Sequence, residues 1–268
     1  MTYLRAVVKA GLRGLLLDFD GTIAHTERGH RAAFNRAFAE LGLDWFWSDE
    51  LYADLLRVPG GKERLRYYVA RYRPELLGRA VDDGLIDEIG RRKSRNFCAI
   101  AAAIPFRPGV QRLVYEAHLA GLRIAIATSA SKAGVEALLD QDSAMRAMID
   151  VIAGGDAIEP KKPAPDVYIR ALDGLGLAPD ACVAVEDSAI GLRAALGAGL
   201  QTIVTITDYT ARDDFSGAAA VLSDLGDADR TARWIAGHRP ANGIVDLGFL
   251  GDVVASAEAS REGTREPA

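Results

Sequence analysis

Two aspartates spaced two apart, Asp18 and Asp20, close a short apolar run and lead directly into Gly21-Thr22. A second acidic pair, Glu186-Asp187, closes another apolar run. Thr128-Ser129 ends a third, and Lys161-Lys162-Pro163 follows a fourth. Singly, these residues have ordinary uses, since Asp and Ser cap helices and Lys coats surfaces. Gathered at one edge of a sheet, they describe a site. Asp18, Asp20, Glu186 and Asp187 repel one another there and stay ionised together only around a cation. An all-oxygen ligand set selects a hard divalent ion, Mg²⁺, and no cluster of His and Cys points to zinc. Lys162 adds a fixed positive charge. Cation and lysine together would hold a phosphoryl group, with Ser129 or Thr128 and the backbone N–H groups near Ala130 completing its cradle. Crowding of like charges also raises one carboxyl pKa, and Asp20 is expected to be that group.

Such a site needs a scaffold that brings strand ends together. The run 14–19 reads as a buried parallel strand, apolar on both faces. From 27 to 102 the period becomes helical, first around 32–41 with Gly42 as a stop, then over 49–56, 62–72 and 82–101, with no strand. From 105 the two patterns alternate. Helices are expected at 110–120, 131–139, 166–175 and 188–197, and strands at 122–128, 150–153, 181–185 and 201–205. An edge strand and turn are expected within 217–225 and a last amphipathic stretch at 245–257. Alternation predicts an α/β fold: a Rossmann-like parallel sheet core flanked by helices, with an inserted helical cap domain. Ligands then bind beyond the carboxyl ends of the strands. The division is 1–25 and 103–260 for the core, 26–102 for the cap, and 261–268 for a disordered tail.

The chain has 268 residues, 49% hydrophobic and 26% charged, enough for a real core and too apolar for intrinsic disorder. A net charge of −5 argues against a nucleic-acid-binding surface spread over the whole protein and leaves room for a local basic pocket for a phosphorylated small molecule. Cys98 and Cys182 are too few for a disulfide scaffold and fit a reducing compartment. No apolar run is long enough for a bilayer, and the residues before the first strand lack the apolar segment of a signal peptide. The expectation is a cytoplasmic monomer acting on a small molecule, with no membrane or nucleic-acid partner.

From Gly14 to about Asp227 the sequence resembles the phosphatase branch of the haloacid dehalogenase superfamily. The shared motifs are Asp18-Phe19-Asp20-Gly21-Thr22, the strand-end Ser129, Lys162-Pro163 and Glu186-Asp187. The segments around Glu27 and His30, from Leu56 to Arg64, from Lys161 to Tyr168 and from Tyr209 to Phe215 are similar to the CbbY type. The resemblance implies hydrolysis of a sugar phosphate, xylulose-1,5-bisphosphate first, an inhibitory by-product of rubisco. It implies Asp18 as the nucleophile that becomes an aspartyl phosphate. Asp20 would be the general acid and base, with its backbone carbonyl on the metal. Asp187 would be a direct metal ligand supported by Glu186, and Lys162 the charge-neutralising lysine. Alternatives on the same fold are a phosphosugar mutase of the β-phosphoglucomutase type and a broader phosphatase, such as one for phosphoglycolate. A non-catalytic regulatory protein would be expected to have lost Asp18, Asp20, Lys162 or Asp187, and all four are present.

The insert is expected to close over the site and exclude water, hinged near 24–27 and 102–107. A bisphosphate needs a second anion site, and Arg57, Lys62 and Arg64 beside Gly60-Gly61 are the candidates, because a glycine-rich helix start presents N–H groups. Glu27 and His30 lie three apart on one helix face, and the resemblance implies that both meet the substrate. The run Arg91-Arg92-Lys93-Ser94-Arg95 reads as a solvated helix face. Trp45, Phe46 and Trp47 read as packing.

Overall fold

The structure, a computed structural model, describes residues 11–76, 83–155 and 158–262. The N-terminal basic residues Arg5 and Lys9, the expected helix start at 82, Asp156 and the last six residues of the expected tail lie outside the described residues.

Strand β1 (Gly14–Leu17) is wholly buried and sits inside the sheet. It pairs in parallel with β2 (Arg123–Thr128) on one side and β4 (Cys182–Glu186) on the other. Leu17 stands opposite Ile126 and Val185, so the residues that follow, Asp18 and Glu186, leave the sheet side by side. The remaining strands are β3 (Val151–Gly154), β5 (Gln201–Thr205), β6 (Ala220–Leu222) and β7 (Trp234–Gly237). Their order is β3-β2-β1-β4-β5-β6-β7, parallel except for β7, which runs antiparallel to β6. The expected edge strand in 217–225 is therefore not the edge. β7 lies beyond it, and its four residues are all exposed, so no alternation of apolar and polar positions marked it.

Helices α1 (Glu27–Glu40), α2 (Asp49–Leu55), α3 (Gly61–Tyr72) and α4 (Asp83–Ala101) follow β1 without a strand among the described residues. They bury an aromatic core of their own, with Phe34, Phe38, Trp45, Trp47, Tyr52 and Tyr68 at its centre. Trp45 and Trp47 pack as expected, whereas Phe46 between them is 66% exposed. The sheet faces are covered by α5 (Val110–Leu119), α6 (Lys132–Leu139), α7 (Ser143–Ala147), α8 (Asp166–Leu175), α9 (Ala189–Gly197) and α10 (Leu247–Glu262). The five-residue α7 was too short to read in the sequence, and α10 continues past Ser260, where a disordered tail was expected.

The helices after β2 and β4 begin at serine caps. Ser131 Oγ accepts from Gly134 N at 3.2 Å and Ser188 Oγ from Gly191 N at 3.1 Å. These caps fix where the loops bearing Ser129 and Asp187 turn back. Among the described residues no helix is long and apolar enough to cross a membrane.

Candidate active site

Asp18, Glu186 and Asp187 are buried at the ends of β1 and β4, and one carboxylate oxygen from each lies within 4.8 Å of the others. Lys162 reaches them from the loop after β3. Its Nζ is 2.6 Å from Asp18 Oδ1, 2.6 Å from Glu186 Oε1 and 3.0 Å from the carbonyl of Ala127. Tyr168 on α8 donates its hydroxyl to Glu186 Oε1 at 2.6 Å, and its ring centroid lies 4.9 Å from the lysine ammonium. The other Glu186 oxygen accepts the N–H of Asp187 at 3.1 Å. Gly191 on α9 is packed against this carboxylate so closely that a Cβ there would overlap both oxygens. Lys161 turns elsewhere, onto the Gly155 carbonyl at 2.8 Å.

Three acids against one ammonium leave a surplus of two negative charges, which matches a divalent cation, and all donors are hard oxygens. Burial and mutual repulsion raise the proton affinity of two of them. Burial, opposed by Lys162 and reinforced by Glu186, pushes Asp18 up to about 8. Burial and the charges of Asp18 and Glu186 push Asp187 well above the carboxylate range. Both groups hold protons more tightly folded than unfolded, so stability falls as pH rises from 3.8 towards about 8. A cation replaces those protons. We expect added Mg²⁺ to raise the melting temperature by several degrees near pH 8 and by little near pH 5, with roughly 2–4 °C per kcal/mol of stabilisation for a chain of this size. A shift equal at both pH values would remove the acidic trio as the cation site.

Asp20 departs from expectation. Its carboxylate lies outside the trio, leaving only its backbone carbonyl for a metal. Oδ1 accepts from Thr26 Oγ1 at 2.5 Å and is 2.7 Å from His30 Nε2. Burial raises its proton affinity, but His30 and Thr26 outweigh burial and hold the group well below the usual carboxylate range. The expected upward shift therefore falls on Asp18, because Asp20 is ringed by donors rather than acids. Burial, with Lys93 and Arg64 nearby, lowers the His30 pKa against the opposing pull of Asp20. Its ring stacks on Phe97 with centroids 3.8 Å apart.

A cavity of about 930 Å³ opens above these groups. Glu27, His30, Arg57, Gly60, Gly61 and Arg64 line it from the helical insert, and Thr128, Ser129 and Ala130 from the end of β2. Lys62 is not among the lining residues, and its ammonium pairs with Asp87 at 2.8 Å. Arg64 reaches the lining, but its guanidinium binds Leu55 O, Tyr52 OH and Val58 O. The Ala130 N–H, expected on the phosphate, donates instead to Thr128 Oγ1 at 2.9 Å. Thr128 thus braces the loop, and the Ser129 side chain faces the cavity without a hydrogen bond among the described residues.

Two further residues shape the site. Lys93 lines the cavity and sits over the rings of Phe34 and Phe97, 5.3 and 5.4 Å from their centroids. Its neighbours Arg91, Arg92 and Arg95 do face outwards, pairing with Glu88 and Glu40. The signal that separates them is spacing: Ile89, Lys93 and Phe97 recur every four residues, and the outer two are buried. Arg107, expected only at a hinge, is buried and donates to the carbonyls of Gly21, Thr205, Ile206 and Ser223. Gly21 has a φ of 82°, and a Cβ there would strike Asp187 and come within 2.6 Å of Glu27 Oε1.

The family model described as haloacid dehalogenase-like hydrolase matches residues 12–199. The chain is 47% identical over 218 residues to the protein CbbY of Rhodobacter capsulatus, a match covering 80% of this chain and 94% of the relative. A crystal structure of CbbY from Rhodobacter sphaeroides in complex with phosphate is similar with a TM-score of 0.74 and 44% identity, covering 80% of this chain and 94% of that one. A variant of the same protein in complex with xylulose-1,5-bisphosphate is similar with a TM-score of 0.74 and 42% identity, covering 81% and 98%.

Proposed function

We propose that this chain, which belongs to the haloacid dehalogenase-like hydrolases and within them to the CbbY group, is a phosphatase whose substrate is xylulose-1,5-bisphosphate and whose product is xylulose 5-phosphate. The observation that carries the reading is the Asp18–Lys162 contact at 2.6 Å on the floor of a cavity into which Asp20 and His30 also face. The related protein in complex with xylulose-1,5-bisphosphate supports the choice of sugar.

The geometry supports the roles that the resemblance implies. Asp18 attacks phosphorus and the bond to the sugar oxygen breaks, leaving an aspartyl phosphate. Asp20 gives a proton to the departing oxygen, then takes one from the water that attacks the aspartyl phosphate, releasing inorganic phosphate and free Asp18. The His30 contact accommodates both states. An ionised Asp20 accepts from Nε2–H, and a protonated one donates to Nε2 of the other tautomer, since Nδ1 has no partner within the described residues. Lys162 neutralises the phosphoryl oxygens beside the nucleophile, and Ser129 offers them a hydroxyl. Asp18, Asp187 and the Asp20 carbonyl, with Glu186 behind them, would hold Mg²⁺. When bound, that ion supplies charge neutralisation and alignment of the phosphoryl group. Residues 26–102 would act as the cap, placing Glu27 and His30 on the sugar and keeping water out until transfer.

Phosphate release from a panel of phosphorylated sugars tests the assignment. Xylulose-1,5-bisphosphate is expected to exceed phosphoglycolate and glucose phosphates in kcat/KM by at least about 100-fold. Chelation should stop release and Mg²⁺ should restore it. Preference for phosphoglycolate, or conversion of a glucose phosphate without phosphate release, would overturn the substrate.

A further inference from the structure

An ammonium has three N–H donors, and Lys162 has all three engaged: with Asp18 Oδ1 and Glu186 Oε1 at 2.6 Å each, and with the Ala127 carbonyl at 3.0 Å. The reaction asks more of it. Once Asp18 is an acyl phosphate, it no longer carries the charge that attracts the lysine. The ammonium must then turn an N–H to the phosphoryl oxygens without leaving its place. Glu186, buried and 2.6 Å away, keeps its attraction throughout and would draw the lysine off the nucleophile. A group that steadies Glu186 and tempers that pull is needed.

Tyr168 is placed for both tasks. Its hydroxyl donates to the same Glu186 Oε1 that accepts from Lys162, at 2.6 Å. A second donor stabilises the carboxylate from another side and leaves it less dependent on the lysine. Its ring centroid lies 4.9 Å from the ammonium, close enough for the ring face to attract the cation as well. The ring is wholly buried, in a cluster with Leu16 of β1, Ala125 and Ala127 of β2 and Ala184 of β4, where the alanines leave the space it fills. Backbone geometry ties the two residues together. Lys162 and Tyr168 are six apart, joined by Pro163-Ala164-Pro165, whose two prolines stiffen the link. The Ala164 N–H donates to the Lys161 carbonyl at 3.0 Å and the Tyr168 N–H to the Pro165 carbonyl at 2.9 Å, so the link turns directly into the first turn of α8. On the other side of Glu186, Gly191 packs so closely that the carboxylate has no room to back away.

We propose that Tyr168 is a positioning residue: its hydroxyl holds Glu186 Oε1 and its ring holds the ammonium, so that Lys162 stays beside Asp18 while the phosphoryl group arrives and leaves. The proposal rests on the phosphatase reading and adds a residue to that same site. Tyr168 touches neither substrate nor nucleophile. It acts through the lysine, and its effect belongs to the chemical step rather than to the capture of the sugar.

The test is a double-mutant cycle between Tyr168 and Lys162, read as kcat for phosphate release from xylulose-1,5-bisphosphate and from p-nitrophenyl phosphate at saturating Mg²⁺. In the parent background Tyr168→Phe keeps the ring and removes the hydroxyl. It should lower kcat about 10–100-fold on both esters and leave KM within about 2-fold. Tyr168→Leu removes the ring as well and should lower kcat several-fold further. In the Lys162→Met background Tyr168→Phe should cost less than about 2-fold, since no ammonium is left to place. An equal cost in both backgrounds makes the tyrosine a structural support and overturns the proposal. A Tyr168→Phe enzyme with parental kcat, or one whose loss lies in KM, overturns it without the double variant. Where the doubly substituted chain does not fold, the Mg²⁺ half-saturation of Tyr168→Phe decides. A parental value with kcat lowered supports action through the lysine, whereas a rise in step with the loss of kcat places the hydroxyl in the service of the cation site and overturns the proposal. A parent that releases phosphate from neither ester fails the functional reading, and the role of Tyr168 with it. An active parent with an additive cycle fails the role alone.

Discussion

An Asp18→Asn enzyme is expected to fold, bind substrate and release no phosphate, with turnover down by at least about 10⁴-fold. The amide keeps the carboxylate's shape but cannot form the aspartyl phosphate. The fold should not suffer. Asp18 is buried beside Glu186 and Asp187, and its carboxyl is pushed up to about 8, so removing its charge relieves repulsion. Lys162 keeps Glu186 Oε1 and the Ala127 carbonyl as partners. The melting temperature should stay or rise, and intact mass should show no phosphoryl adduct after substrate is added. Near-normal turnover would rule out the covalent route.

Lys162→Met should harm both stability and rate. Its ammonium stands between two carboxylates at 2.6 Å each in a site with 7% of the lysine side chain exposed. Without it, Asp18 and Glu186 face one another with no counter-charge. Breaking a buried pair in this way costs about 3–5 kcal/mol, or roughly 10 °C of melting temperature. The loss should be greatest in chelated enzyme above about pH 8, where a carboxyl with the Asp18 shift is ionised. Turnover should fall about 10²–10³-fold even with Mg²⁺ present, as for removal of one group that stabilises charge in the transition state. Lys162→Arg should not rescue it, because the planar fork is too large for the space between the two acids. A Lys162→Met enzyme with parental melting and rate would make the lysine a bystander.

The strand ends were legible because buried parallel strands are short apolar runs, and the first polar residue after each run must lie at the sheet edge. Asp18, Ser129, Glu186 and Asp187 stand at the ends of such runs, and Lys162 is carried by the loop that follows another. What the pattern lacks is direction. Asp20 sits two residues from Asp18, yet its carboxylate belongs to Thr26 and His30, a partnership made by the start of α1. Lys62 and Lys93 look alike in a basic helix, and only the helix faces set by distant packing send one to Asp87 and the other to the cavity. Arg107 offered no local signal, because its partners come from three separate places along the chain. Strand β7 escaped because an exposed edge makes no demand on side-chain polarity.

The way the helical insert is attached carries a consequence for how such enzymes diversify. The chain leaves the core at Ala24 and re-enters at Phe106, and those two residues are bridged to each other. Arg107 then fastens the crossing to the Gly21 turn and the strands beyond it. Every pairing between the strands of the sheet lies outside the insert, while Ala33, Phe97 and Ala101 of the insert are buried with Val135 and Leu138 of α6. Exchange of residues 25–105 between relatives would therefore be a graft at two places, the crossing and the face of α6. The recipient would keep its nucleophile, lysine and acids. The donor would bring the contacts to the sugar together with Thr26 and His30, the partners of Asp20. Substrate range and the setting of the general acid are, in this architecture, inherited together.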